Sequence, residues 1–145
     1  MDWIIEGVQK RRKAEADLAA VQQHAETLFE QLWQEVTAIV AAGNSEQMRL
    51  GTNGTTYQRV VLMTVNPRLG QQSASPLEMT VQLSEDKRSI NASSHAGEVQ
   101  LSIAVCPDGV VYLKRDGLKI TMRDAGKLIM EDFLFGKDSP FFPNV

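Results

Sequence analysis

Leu28-Phe29-Glu30-Gln31-Leu32-Trp33-Gln34-Glu35-Val36-Thr37-Ala38-Ile39-Val40 places apolar side chains every three or four residues, whereas Leu77-Glu78-Met79-Thr80-Val81-Gln82-Leu83 places them at every second residue. The first spacing lines one face of an α-helix, the second one face of a β-strand. The switch of period fixes the fold class as α+β. It predicts a long N-terminal helix, an antiparallel β-meander, and a C-terminal helix packed on the same sheet face.

Read toward the N-terminus, the helical spacing persists with no proline to interrupt it. Asp2 is the expected N-cap and Gly43-Asn44 the expected stop, which gives a helix over 1–43 of roughly 60 Å. A rod of that length is longer than a domain of this size is wide, so part of it is expected to overhang. With Leu18 at heptad position a, Ile4, Leu18, Ala25, Leu32 and Ile39 share one row, broken by Arg11. Ala14, Val21 and Leu28 share the d row, broken by Gly7 and Glu35. Phe29, Trp33, Val36 and Val40 widen the apolar arc in the second half. A wide arc suits a helix lying on a sheet and a narrow one suits a helix–helix seam. The stretch from Leu28 to Val40 is therefore expected to pack on the chain's own sheet. The first half is expected to project or to pair with a partner, coiled-coil fashion.

Read toward the C-terminus, 45–55 is a glycine-punctuated loop with room for a helical turn near Glu46–Leu50. Tyr57 to Val65 is apolar on both faces at its centre, which predicts a mid-sheet strand ended by Asn66-Pro67. Leu77 to Ser84 alternates cleanly, and Glu85-Asp86-Lys87 turns the chain into a weaker strand, Arg88 to Ser94. Val99, Leu101, Ile103 and Val105 mark the next strand. Pro107-Asp108-Gly109 and Asp116-Gly117 then punctuate two short ones, Asp116-Gly117 being the strongest hairpin signal. The sheet is thus expected over 56–121 with about five or six strands. Thr121 with Asp124 resembles a capping box that opens a helix over 122–136, closed by Gly136 and followed by a tail over 137–145.

The 145 residues, 43% hydrophobic and 23% charged, form a single expected domain, 1–145. A net charge of -3 argues against nucleic acid as a partner, since phosphate binding needs a basic surface. The sole cysteine, Cys106, excludes an intrachain disulfide. Met1 to Val8 does not read as a signal peptide, because its apolar run is short and its positive charges follow that run. No stretch has the apolar length of a membrane span. The expected location is the cytoplasm.

Chemistry-bearing motifs are sparse. The two histidines, His24 on the helix and His95 in a turn, are not brought together by any spacing. HExxH, CxxC and DxDxDG are absent, so no metal and no cofactor is expected. Gly51-Thr52-Asn53-Gly54 leads into a strand, the inverse of a phosphate loop, which must open a helix. Lys10-Arg11-Arg12-Lys13 spreads around the helix as a positive collar, followed by Glu15 and Asp17. It reads as a solvated segment or as a contact for an acidic partner. Trp3-Ile4-Ile5 beside it also suits a membrane surface.

Two functions remain open on this reading. The leading one is a non-catalytic protein-interaction module, such as an oligomeric adaptor, chaperone or assembly factor. It would form a homo-oligomer through Ile4, Ala14, Leu18, Val21, Ala25 and Leu28 and dock a protein partner with Phe141 and Phe142. The alternative is a small-molecule-binding module or minor enzyme. Its pocket would lie between helix and sheet and be lined by Phe29, Trp33, Met63, Met79 and Leu101, with Tyr57 or His95 at the mouth.

Overall fold

Val61 pairs with Met79, Val81 with Ala92, Ile90 with Leu101, and Ile103 with Leu113 on successive antiparallel strands. These pairs set one apolar face across a sheet whose other face is mostly polar. The structure, a computed structural model, describes residues 1–64, 76–137 and 139–141. Helix α1 spans Asp2–Ser45, and the strands follow as β1 Leu50–Gly54, β2 Gln58–Met63, β3 Leu77–Leu83, β4 Ser89–Ser94, β5 Gly97–Val105, β6 Val111–Arg115 and β7 Leu118–Ile120. Helix α2 spans Met122–Phe135. The strands lie in sequence order, β1 to β7, in one sheet. The sheet therefore has seven strands instead of five or six, and it begins at Leu50 instead of 56.

The additional strand is β1, in the segment read as a loop. Its composition is poor for a strand, with Gly51, Asn53 and Gly54. Pairing supplies what composition lacks. Leu50 to Gly54 ladders fully with β2, and Asn44 acts as a stand-in strand neighbour on the other side. The Asn44 Oδ1 accepts from the Leu50 N–H at 2.8 Å, and its Nδ2 donates to the Leu50 carbonyl at 3.1 Å. Gly43 makes this return fit: a Cβ there would lie 2.7 Å from the Leu50 Cδ1. Gly43 is accordingly buried inside the helix, which continues to Ser45 past the expected stop. At the other end Met1, not Asp2, occupies the N-cap position, without a side-chain cap. Asp2 instead supplies negative charge to the first turn.

Helix α1 buries Val21, Ala25, Leu28, Phe29, Leu32, Trp33, Val36 and Val40, a set recurring at the helical period. Each large one contributes about 1.5–3 kcal/mol by leaving water. They meet Val61, Met63, Met79, Val81, Leu83, Ile90, Leu101 and Leu113 from the sheet. Helix α2 adds Ala125, Ile129, Met130, Phe133 and Leu134 to the same core. Thr121 caps α2 as expected, its hydroxyl accepting from the Asp124 N–H at 3.1 Å. The Asp116-Gly117 turn has positive φ at both residues, 50° and 80°, as a two-residue hairpin of this twist requires.

Candidate functional site

Helix α1 runs past its sheet. Residues 1–16 are all exposed, a free rod of about 24 Å. Burial begins with half-covered Asp17 and Leu18 and becomes complete at Val21. The residues expected in a seam between chains therefore divide. Val21, Ala25 and Leu28 lie beneath the chain's own core, Leu18 sits at the exit, and Ala14 and Ile4 lie on the free rod. Packing on the sheet thus starts about two turns earlier than Leu28. At the exit, Ala14, Leu18 and Val21 form a crevice of about 460 Å³ with Arg88, Ile103 and Val105.

The tip of the rod carries a concentrated apolar surface. Trp3 is 74% exposed, Ile5 56%, Val8 43% and Ile4 39%. Ile4 and Val8 stand one turn apart with Ile5 beside them. The collar follows immediately. Arg11 pairs with Glu15 at 3.1 Å, one turn on, while Lys10, Arg12 and Lys13 are exposed. A lone surface pair of this kind contributes little to stability.

The second surface is a groove where α1 and α2 cross. It has a volume of about 610 Å³. Ala38, Ile39, Ala42, Met130, Leu134 and Phe135 form its apolar lining. Its rim carries three carboxylates, Glu35, Asp124 and Glu131, against two cations, Arg123 and Lys127. Lys127 faces Glu131 at 3.7 Å. Gly126 sets the depth of the crossing: a Cβ there would lie 3.0 Å from the Glu35 Cβ. The sequence reading missed this groove. Its signal is the small residues Ala38 and Ala42, one turn apart beside Ile39, which let another surface approach the helix backbone closely.

The residues assigned to a pocket between helix and sheet are placed as follows. Phe29, Trp33, Met63, Met79 and Leu101 are core residues, at most 7% exposed. Met79 also borders a cavity of about 140 Å³ that reaches Arg115, Asp132 and Phe133. His95 stands beside α2 with its ring 5.5 Å from that of Phe133, and its two ring nitrogens have no hydrogen-bond partner among the described residues. Tyr57 lies away from it, on the flank of α1.

That flank carries a polar stitch between helix and sheet. The Tyr57 Oη donates to Glu26 at 2.9 Å, and Lys87 meets the same carboxylate oxygen at 2.9 Å. One turn on, Arg59 pairs with Glu30 at 2.6 Å and lies over the Trp33 ring at 5.6 Å. Hydrogen bonds from Lys87 and then from Tyr57 hold the Glu26 carboxyl below the usual carboxylate range. The Glu26 partner raises Lys87 in turn. The depressed carboxyl contributes stability above its unfolded value, and this is lost as pH falls through its lowered folded value. The raised ammonium contributes stability below its unfolded value, lost as pH rises through its folded one. Urea unfolding of wild type and Glu26→Gln should therefore differ at neutral pH and converge as pH falls through the lowered folded value of Glu26. A constant difference across the acid range would show that the stitch does not couple to folding.

The tail turns back on α2. The Ser139 hydroxyl donates to the Leu134 carbonyl, and Phe141 packs half-buried against the core. Phe142 lies outside the described residues. Among the described residues, no group of three or more His, Cys, Asp or Glu could hold a metal ion. No helix among them is long and apolar enough to cross a membrane. Compared with known proteins, the chain matches no family model, no curated protein and no solved structure.

Proposed function

We propose that this chain is a protein-interaction module, an adaptor or assembly factor without catalytic machinery of its own, that self-associates through the N-terminal end of α1. The observation that carries the reading is the free rod: residues 2–16 are helical and exposed, and they end in Trp3, Ile4, Ile5 and Val8. Helical segments this short are marginal alone in water and are held by packing of an apolar face. Here the rod is held only by continuity with the buried part of α1, while its own apolar tip is uncovered. Exposed apolar patches of this kind mark interaction sites.

A small-molecule pocket at the expected place, around Met79 and Leu101 between helix and sheet, has less to support it. The cavity beside Met79, about 140 Å³, is well below the roughly 300–1,000 Å³ of ligand sites.

Static light scattering over a concentration series tests the proposal. Wild type should rise above the 16.1 kDa of one chain, and Ile4→Glu should stay at that mass. At a dilution where wild type is a single chain, both should melt at the same temperature, since an exposed substitution changes stability by no more than about 0.5 kcal/mol. A wild type that remains one chain at every concentration would sink the reading.

A further inference from the structure

The tip has two candidate seats on a second copy: another tip, or the α1/α2 groove. We infer that the groove is the seat, so that copies join head to tail, the tip of one lying in the groove of the next. This rests on the self-association reading above and names its acceptor site.

Geometry excludes the intramolecular version. Ile4 and Ile39 lie on the same helix, thirty-five residues or about 52 Å apart, so no chain can place its own tip in its own groove. Tip and groove are complementary in chemistry. The tip presents an amphipathic helix with Ile4, Ile5 and Val8 as anchors and Trp3 on its flank. The groove presents an apolar floor between two helices, the arrangement that accepts a third helix. Ala38 and Ala42 are exposed and small, so a helix can approach to the roughly 8–10 Å of ordinary helix packing.

Charge bears on the choice between the two seats. Two rods paired over residues 1–16 bring their collars side by side if parallel. If antiparallel, the collar centres fall about 9 Å apart along the axis. Parallel pairing sets the collars about 8–10 Å apart, close to one Debye length at physiological salt, so Lys10 to Lys13 of one copy repel those of the other, whereas antiparallel pairing leaves the collar centres about 13 Å apart, where salt screens most of the repulsion. The groove rim instead offers Glu35, Asp124 and Glu131 with an excess of one negative charge over Arg123 and Lys127. Seating the apolar tip there carries the collar to that rim, where opposite charge sets orientation and speeds encounter. The contact is heterologous: each copy gives one tip and takes one, so assembly continues past two chains unless a ring closes.

The test uses two full-length variants and their mixture, by light scattering. Ile4→Glu removes the tip and keeps the groove. Ala38→Arg blocks the groove and keeps the tip. Each alone should associate about thirtyfold or more weakly than wild type, the loss expected for a central anchor. Wild type should reach two chains where each tip seats in the other's groove, and more where the contact stays open. The mixture of the two variants should form a complex of two chains and no larger, since one intact tip and one intact groove remain. Both sites are exposed, and equal melting temperatures at a dilution where every protein is a single chain confirm that folding is intact. If wild type assembles and Ala38→Arg assembles equally well, tips pair with tips; the groove inference falls and the self-association reading stands. If wild type stays a single chain, both fall. Flotation of that single chain with phosphatidylserine vesicles would then assign the tip to a lipid surface.

Discussion

Phe29→Ala is expected to lower the unfolding free energy by about 3–5 kcal/mol, the range for truncating a fully buried phenylalanine. Phe29 is 1% exposed and lies in the arc of α1 that faces the sheet, so its loss leaves a void walled by both layers. Domains of this size carry only about 5–15 kcal/mol in total, so the variant should be close to unfolding at physiological temperature. Urea titration should show a lower midpoint with an unchanged slope, the mark of lost stability without a changed unfolded state. Trp3→Ala is the internal contrast. It removes a larger side chain from the same helix, yet Trp3 is 74% exposed and should change stability by no more than about 0.5 kcal/mol. Comparable losses for the two would mean that the first turns of α1 are packed within the chain, and the free rod would be refuted.

That contrast lies along one continuous helix, and it marks what sequence periodicity can and cannot resolve. The heptad reading places Leu18, Val21 and Ala25 on one narrow seam, and they do share a face. Periodicity identifies a face without naming what covers it. A sheet of the same chain covers Val21 and Ala25, and Leu18 stays partly open to solvent. The sheet itself was legible wherever one face is apolar and the other polar, as at Leu77 to Leu83. It was not legible at Leu50 to Gly54, where two glycines and an asparagine carry no alternation. That strand exists because β2 pairs along its whole length and the Asn44 side chain satisfies the Leu50 N–H and C=O at its start, a tertiary cause with no alternation to announce it. The groove was invisible for a similar reason. Its walls are separated by some eighty residues of chain, and its depth depends on a glycine whose role appears only once α1 and α2 cross.

Gly126→Leu should act on that crossing. Gly126 has ordinary helical backbone, so its conformational freedom is not the issue; space is. A Cβ at 126 would lie 3.0 Å from the Glu35 Cβ, 3.6 Å from the Ile39 Cδ1 and 3.8 Å from the Glu35 carbonyl carbon. The nearest of these is tighter than side chains normally accept, and it belongs to the stem of a residue on a buried helix that cannot swing away. Alanine would be accommodated by a shift of a few tenths of an ångström, with the gain in helix propensity over glycine offsetting part of the cost. Leucine adds three more carbons in the same direction and must push α2 off α1, at about 1–3 kcal/mol for an overpacked core and more if Phe133 is dragged with it. The groove is formed by these two helices at their present separation, so the displacement should also weaken self-association. Melting temperature and light-scattering mass, measured together on Gly126→Ala and Gly126→Leu, separate the two effects. A graded fall in stability with a loss of assembly only in the leucine variant is the expected result. Full stability in Gly126→Leu would show that the helices do not cross at this residue, and the groove between them would lose its structural basis.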